Sequence, residues 1–424
     1  MTNRGCLVAS ASALVGLVLV GLVLFIVARS HQRRVFDEFV ERRRAAGEPT
    51  TFAELNPPAH ADAENAAVEI DAALKAVYEQ FGREKTWPDV GPWGPAMVDG
   101  FEAQSPQRVA LQREFNERFQ PFCDRVAAAL ARPRCQFRLV LGPEGVPDGS
   151  ATRTLQAVCR ILTSEAMVAE DALRRVEAAR SLLLLAKRNE PLSMIDSMVN
   201  AAIATSAATA VRIGVERGEI DPALARRQLD RLFQTGWAHV GATAFRAEVV
   251  SVLSMYAAAR DDRVKAAVER EFGVPFDLAD ASVIADGCKM LDEAARLPVA
   301  PFAAYRRGAK AIGDRAEAVR NPIPIVVPPT ADRVGRVEAV TRLTRIALAA
   351  AEHRATHGDF PASLGDLKWA FPDGVPLDPF SDGPFVYEKT ATGVRISSAG
   401  RLAEDPAVDD ATLRERCLVW DLQR

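Results

Sequence analysis

The chain has 424 residues, a formal net charge of −3, and is 48% apolar and 26% charged. That length allows two or three domains, and that composition is globular rather than disordered. A general nucleic-acid binder would carry a strong basic excess, so nucleic acid is not an expected partner.

Residues 7–28, LVASASALVGLVLVGLVLFIVA, carry no charge. As a helix this run reaches about 33 Å, enough to cross a bilayer core of about 30 Å. It is longer than a signal-peptide core, and Val27-Ala28-Arg29-Ser30-His31 lacks small residues at both cleavage positions. The run is read as a retained single-pass anchor (1–30) in the cytoplasmic, or inner, membrane. Arg29, Arg33, Arg34 and Arg42–Arg44 follow it. The positive-inside rule applied to them would keep the rest of the chain in the cytoplasm, but long domains translocate largely regardless of flanking charge. The soluble part is expected outside the cytoplasm.

Residues 31–105 read as a helical stalk with a Pro/Trp loop. A charged helix follows the anchor. Ala66, Ile70, Ala73, Leu74, Val77 and Phe81 repeat at helical spacing and predict a helix over 60–82. Trp87, Pro88, Gly91, Pro92, Trp93, Gly94 and Pro95 predict a loop that caps a core.

Residues 106–320 read as an α-helical hairpin domain of short connections and antiparallel helix pairs stacked side by side. Helices are predicted over 107–131, 151–170, 171–187, 191–216, 222–234, 240–271, 280–296 and 300–319. Residues 135–141 read as a short strand or an extended link. Asp221-Pro222 is a helix start: the carboxylate caps free amides, and a first-turn Pro loses no bond.

Residues 321–332 hold Pro322, Pro324, Pro328 and Pro329 and read as a Pro-rich linker. A long helix over 333–357 opens the tail, 333–424, which then turns β at 384–390, 394–398 and 417–422. The predicted fold is therefore mainly α: a transmembrane helix, stacked helix pairs and a small α+β domain with a three-stranded antiparallel sheet.

Within the tail, the helix exit from Ala347 to Gly358-Asp359-Phe360-Pro361, the segment Asp378-Pro379-Phe380-Ser381-Asp382-Gly383-Pro384-Phe385-Val386-Tyr387, and Ile396-Ser397-Ser398-Ala399-Gly400 resemble the head of the major pseudopilins of type II secretion. The resemblance implies an α+β head, with calcium in its acidic loop in some members. The chain departs from that family at its start. Gly5 is followed by Cys6, and Ser10 stands where the prepilin-peptidase site has Glu. The whole layout, including Pro57-Pro58 and Glu64-Asn65-Ala66-Ala67, also resembles a group of bacterial membrane-anchored helical proteins. That second resemblance implies no known activity.

Few groups suggest chemistry. His353 and His357 share a helix face at a spacing that can hold a metal, but a catalytic H-E-x-x-H needs Glu where Arg354 stands. The plainer reading is two polar residues near a helix end. Asp405, Asp409 and Asp410 form an acidic loop that suits Ca²⁺ or is merely solvated. The six cysteines contain no C-x-x-C pair; Cys123 and Cys135 could bond in an oxidising compartment or stand as buried thiols. His239 is a candidate base with no nameable partner. Asp378 and the Ser381-Asp382-Gly383 turn read as turn chemistry. The sequence thus predicts a membrane-anchored envelope protein with a structural or interaction role, protein partners, the bilayer through 7–28, and no cofactor beyond possible calcium. The alternatives are an unrecognised envelope enzyme and a secretion-system component.

Overall fold

Amphipathic helices dominate a computed structural model of the chain, which describes residues 30–31, 33–55, 61–81, 106–138, 140, 149–189, 194–234, 236–258, 281–298, 301–321, 323–399 and 418–423. The expected anchor therefore lies outside the described residues. Helix α1 covers 33–45. Then come α2 (Ala66–Phe81), α3 (Pro106–Ala129), α4 (Ser150–Val168), α5 (Ala172–Arg188) and α6 (Met194–Glu216). They are followed by α7 (Pro222–Phe233), α8 (Ala238–Ala258), α9 (Ala281–Ala295), α10 (Phe302–Ala318) and α11 (Val327–His357).

Local chemistry explains several boundaries. The Asp171 carboxylate accepts from the Leu173 amide and opens α5. Asp221 accepts from the Ala223 and Leu224 amides, with Pro222 beside it, and opens α7 as expected. Gly358 closes α11 at φ 81°, a left-handed conformation that glycine adopts without a Cβ penalty.

Residues 135–138 form an extended link rather than a strand, joined to the chain before α2 by one bridge between Asn65 and Arg134. Asn65 holds that link. Its carboxamide donates to the Gln136 carbonyl (2.9 Å) and accepts from the Gln136 amide (2.8 Å) and the Ala67 amide (3.2 Å).

Residues 321–332 differ from the expected linker. Ile323–Val326 is a 3₁₀ turn, and α11 begins at Val327 instead of residue 333. Pro328 and Pro329 fall in the first turn, where their missing N–H groups have no intrahelical acceptor to lose. Helix α11 then packs on α6, α7, α8 and α10. One hydrophobic cluster runs from Phe36 of α1 to Leu422 of the tail, and Phe52 packs on Val250 in a small second cluster, so α1 and Phe52 lie against the body rather than standing off as a stalk.

In the tail, β1 (Val386–Lys389), β2 (Gly393–Ser397) and β3 (Val419–Gln423) form the predicted three-stranded antiparallel sheet in the order β1-β2-β3. Tyr387 lies opposite Ile396, and Ile396 opposite Trp420. The fully buried Trp420 fixes the core face of β3. Sheet and helices are tied where the Asp421 amide donates to Glu216 at the end of α6 (3.0 Å), and where Arg354 reaches the Gln423 carbonyl.

Among the described residues, only α6 is long and apolar enough to cross a membrane by length and composition. It sits in the core, with Ile203, Ala204, Ala207, Val211 and their neighbours covered by other helices. Burial over most of its surface accounts for its apolar character.

Candidate functional site

The histidines expected as a possible metal pair are engaged locally. The rings of His353 and His357 stack at 4.2 Å. His353 Nδ1 lies 3.0 Å from the Asp359 carbonyl, and His357 Nδ1 lies 3.0 Å from the His353 carbonyl. No group of three or more His, Cys, Asp or Glu among the described residues is placed to hold a metal ion. Asp405, Asp409 and Asp410, the 87–95 loop, Cys6 and Cys417 lie outside the described residues, as does the side chain of His239.

Cys123, Cys135, Cys159 and Cys288 are buried free thiols. Burial pushes all four up, Cys135 and Cys159 to about 12, so none is a thiolate at neutral pH. Asp378 is fully buried and organises the turn in which it sits. Its carboxylate accepts from Ser398 Oγ (2.9 and 3.0 Å), the Ala399 amide (2.7 Å) and the Phe380 amide (3.1 Å). Burial raises this carboxyl above its ordinary range, against the pull of those donors toward the charged form.

Charged side chains that sequence patterns missed connect elements far apart in the chain. Arg43 of α1 reaches both carboxylate oxygens of Asp292 in α9 (2.6 and 2.5 Å) and also Glu48 (2.9 Å). Glu165 pairs with Arg174 (2.7 Å), and burial raises its carboxyl. Arg345 of α11 pairs with Asp230 of α7 (2.9 Å). Arg226 pairs with Glu352 and lies 4.7 Å from the centre of the Trp369 ring. Glu338 accepts from the Trp237 amide (2.6 Å) and from Arg342 (2.6 Å). Most of these partners are set by the packed fold; only Glu338–Arg342 has the local i,i+4 spacing of a helix pair.

A second feature is apolar and exposed. Ile325 (62%), Val319 (60%) and Ile195 (56%) are the large apolar side chains most open to solvent among the described residues. All three lie close to the start of α11. Thr330 Oγ1 is 3.6 Å from Met194 Sδ, next to Ile195, while Val319 follows the last residue of α10 and Ile325 lies in the turn leading into α11. The Asn321 carboxamide donates to the Val283 carbonyl (2.6 Å), which fixes this corner against the first turn of α9. A shallow groove of about 360 Å³ runs beside it, lined by Val283, Met290, Val319 and the paired charges of Lys289–Asp286 and Arg315–Glu293.

No protein-family model, curated protein or solved structure matches the chain.

Proposed function

We propose that the chain is a single-pass membrane protein of the cell envelope, anchored through residues 7–28, whose body and pseudopilin-like tail serve a structural or protein-interaction role. The observation that carries this reading is how the buried charges are used. Arg43, Glu165, Asp292, Glu338 and Asp378 are each engaged with other parts of the protein. The four described thiols are held neutral by burial. The tail reading is supported by its long helix, the Gly358 exit and the antiparallel sheet, and stacked helix surfaces suit protein partners.

Two experiments test the proposal. Carboxyl-terminal fusions, one to a reporter active only outside the cytoplasm and one fluorescent only inside it, should give the outside signal; the inside signal would overturn the envelope placement. In a deletion strain, rescue by variants of Arg43, Glu165 and Asp378 should track the amount of folded protein. A variant that folds at the normal level yet fails to rescue would assign chemistry to that group and favour the enzyme alternative.

A further inference from the structure

From the packing of α1 and the placement of the exposed apolar residues, we infer that the corner formed by Ile195, Val319 and Ile325 rests on the bilayer that anchors the chain. This rests on the proposed anchor at 7–28 and adds which face of the body meets the lipid.

The tether is short. Phe36 of α1 is buried, with its ring 4.2 Å from that of Tyr256 near the end of α8. Eight positions separate it from Ala28, the last residue of the apolar run. With 33–36 helical and the remainder at full extension, they span at most about 23 Å. A body of this chain length has a radius of gyration of about 21 Å and is about 55 Å across. A tether shorter than half that width, fixed to the body by Phe36, Phe39 and the Arg43–Asp292 pair, holds one end of the body against the headgroups.

Register identifies that end. Along α1, Arg43 pairs with Asp292, and beyond the helix Glu48 meets Arg296, so α1 and α9 run in the same direction. Stepping back along α9 from Asp292 to Val283 covers about 14 Å at 1.5 Å per residue. That step returns to the level of the first residues of α1. The end of α8, beside Phe36, lies at that level too. Asn321 is bonded to Val283, so the Val319–Ile325 corner sits at the anchor end. The contact between Thr330 and Met194 brings Ile195 there as well.

Two independent observations therefore coincide. The end that the tether holds at the membrane is also where the three most exposed large apolar side chains are found. Arg320, exposed between Val319 and Asn321, and Arg33 and Arg34 at the start of α1 supply basic groups at headgroup level. Of the acidic side chains at the same corner, Asp286 and Glu293 are paired with Lys289 and Arg315, and Glu317 is exposed beside Val319. The other end of the 31-residue α11 lies about 45 Å away and carries the sheet.

The test uses the full chain reconstituted into phosphatidylcholine vesicles, with Cys6 and Cys417 changed to Ser and the four described native thiols buried. An environment-sensitive fluorophore is attached at Ala318→Cys, beside the corner, or at Lys389→Cys on β1, which is at the far end. Phosphatidylcholine brominated on its acyl chains should remove most of the emission at position 318 and none at 389. Ile195→Asp, Val319→Asp and Ile325→Asp together alter only exposed side chains and should restore the emission at 318. A chain that stays with the vesicles through an alkaline wash but shows no quenching at 318 overturns the inference and leaves the anchor standing; the corner would then be open to a protein partner. A chain that the wash releases overturns the anchor and the inference together.

Discussion

The pair between Arg43 and Asp292 joins α1 to α9, and its removal should loosen that join by a calculable amount. The side chains are 5% and 12% exposed, and the two guanidinium–carboxylate contacts are 2.6 and 2.5 Å. Arg43→Met keeps most of the volume but leaves the Asp292 carboxylate buried without its partner. Breaking one side of a buried pair costs about 3–5 kcal/mol, most of it for the charge left behind. Asp292→Leu should cost less, about 2 kcal/mol, because Arg43 keeps Glu48 at 2.9 Å. The double variant removes both charges and fills the space with apolar atoms, so its cost should fall to about 1 kcal/mol or below. The expected coupling is therefore several kcal/mol, far above the few tenths found between independent sites. Urea unfolding of the full chain in detergent, followed by tryptophan emission, measures all three. Trypsin cleavage at Arg42–Arg44 reports in parallel whether α1 has left the body. Additive costs, with coupling below about 0.5 kcal/mol, would refute the idea that this pair secures α1.

Three further outcomes follow from the same packing. Burial pulls the Lys187 ammonium down to about 8, so its charge opposes folding below that pH, and the penalty vanishes above about 10.4; Lys187→Met should raise stability at pH 7 by about 1 kcal/mol, discounted for a half-exposed group, and leave it unchanged at pH 10.5 in urea titrations. Burial alone raises the Glu248 carboxyl, so its contribution to stability is full below its ordinary value of 4.5 and is lost as the pH rises through the raised value. Glu248→Gln should therefore stabilise the protein at pH 7 and not at pH 4, and equal effects at both pH values would refute this. A Cβ at Gly335 would collide with the Phe302 ring, so Gly335→Ala should cost about 2 kcal/mol or more by thermal or urea unfolding, despite the higher helix propensity of Ala.

Sequence patterns reveal structure here wherever the cause is local. Asp221-Pro222 announces α7 because a carboxylate and a proline solve the helix-start problem within three residues. Strand β2 is legible because Val394 and Ile396 alternate with polar residues, while Gly393 opens that strand where a Cβ would meet the Leu422 carbonyl. The Pro-rich stretch before α11 misleads because proline forbids a helix interior yet suits its first turn, and only packing decides which applies. Helix α6 matches a membrane span in composition because most of it is covered by α4, α5, α8 and α11, with Ile195 of its first turn left open. The candidate sites were the least legible of all. Arg43 and Asp292 are 249 positions apart, and the exposed corner gathers Ile195, Val319 and Ile325 from three elements. The fold supplies these proximities, and no sequence window contains them.

The molecule is polar along its long helix. At the start of α11 lie the exposed apolar corner and, by register, the first turn of α1. At its end lie Gly358, the histidine pair and the sheet, tied down through Arg354 to Gln423 and through Glu216 to Asp421. Helix α11 spans this distance and α6, about 35 Å long, runs beside most of it, and their buried faces are continuous in one core. A rigid axis of about 45 Å therefore separates the two ends. A protein fixed to a membrane at one end and rigid along that axis presents the other end at a set height. Trp369, about half exposed and lying against Arg226, which pairs with Glu352 near the end of α11, belongs to the tail at that height. A partner that engages the tail would then be held at a fixed distance from the bilayer, which is what the structural role proposed for this chain would consist of.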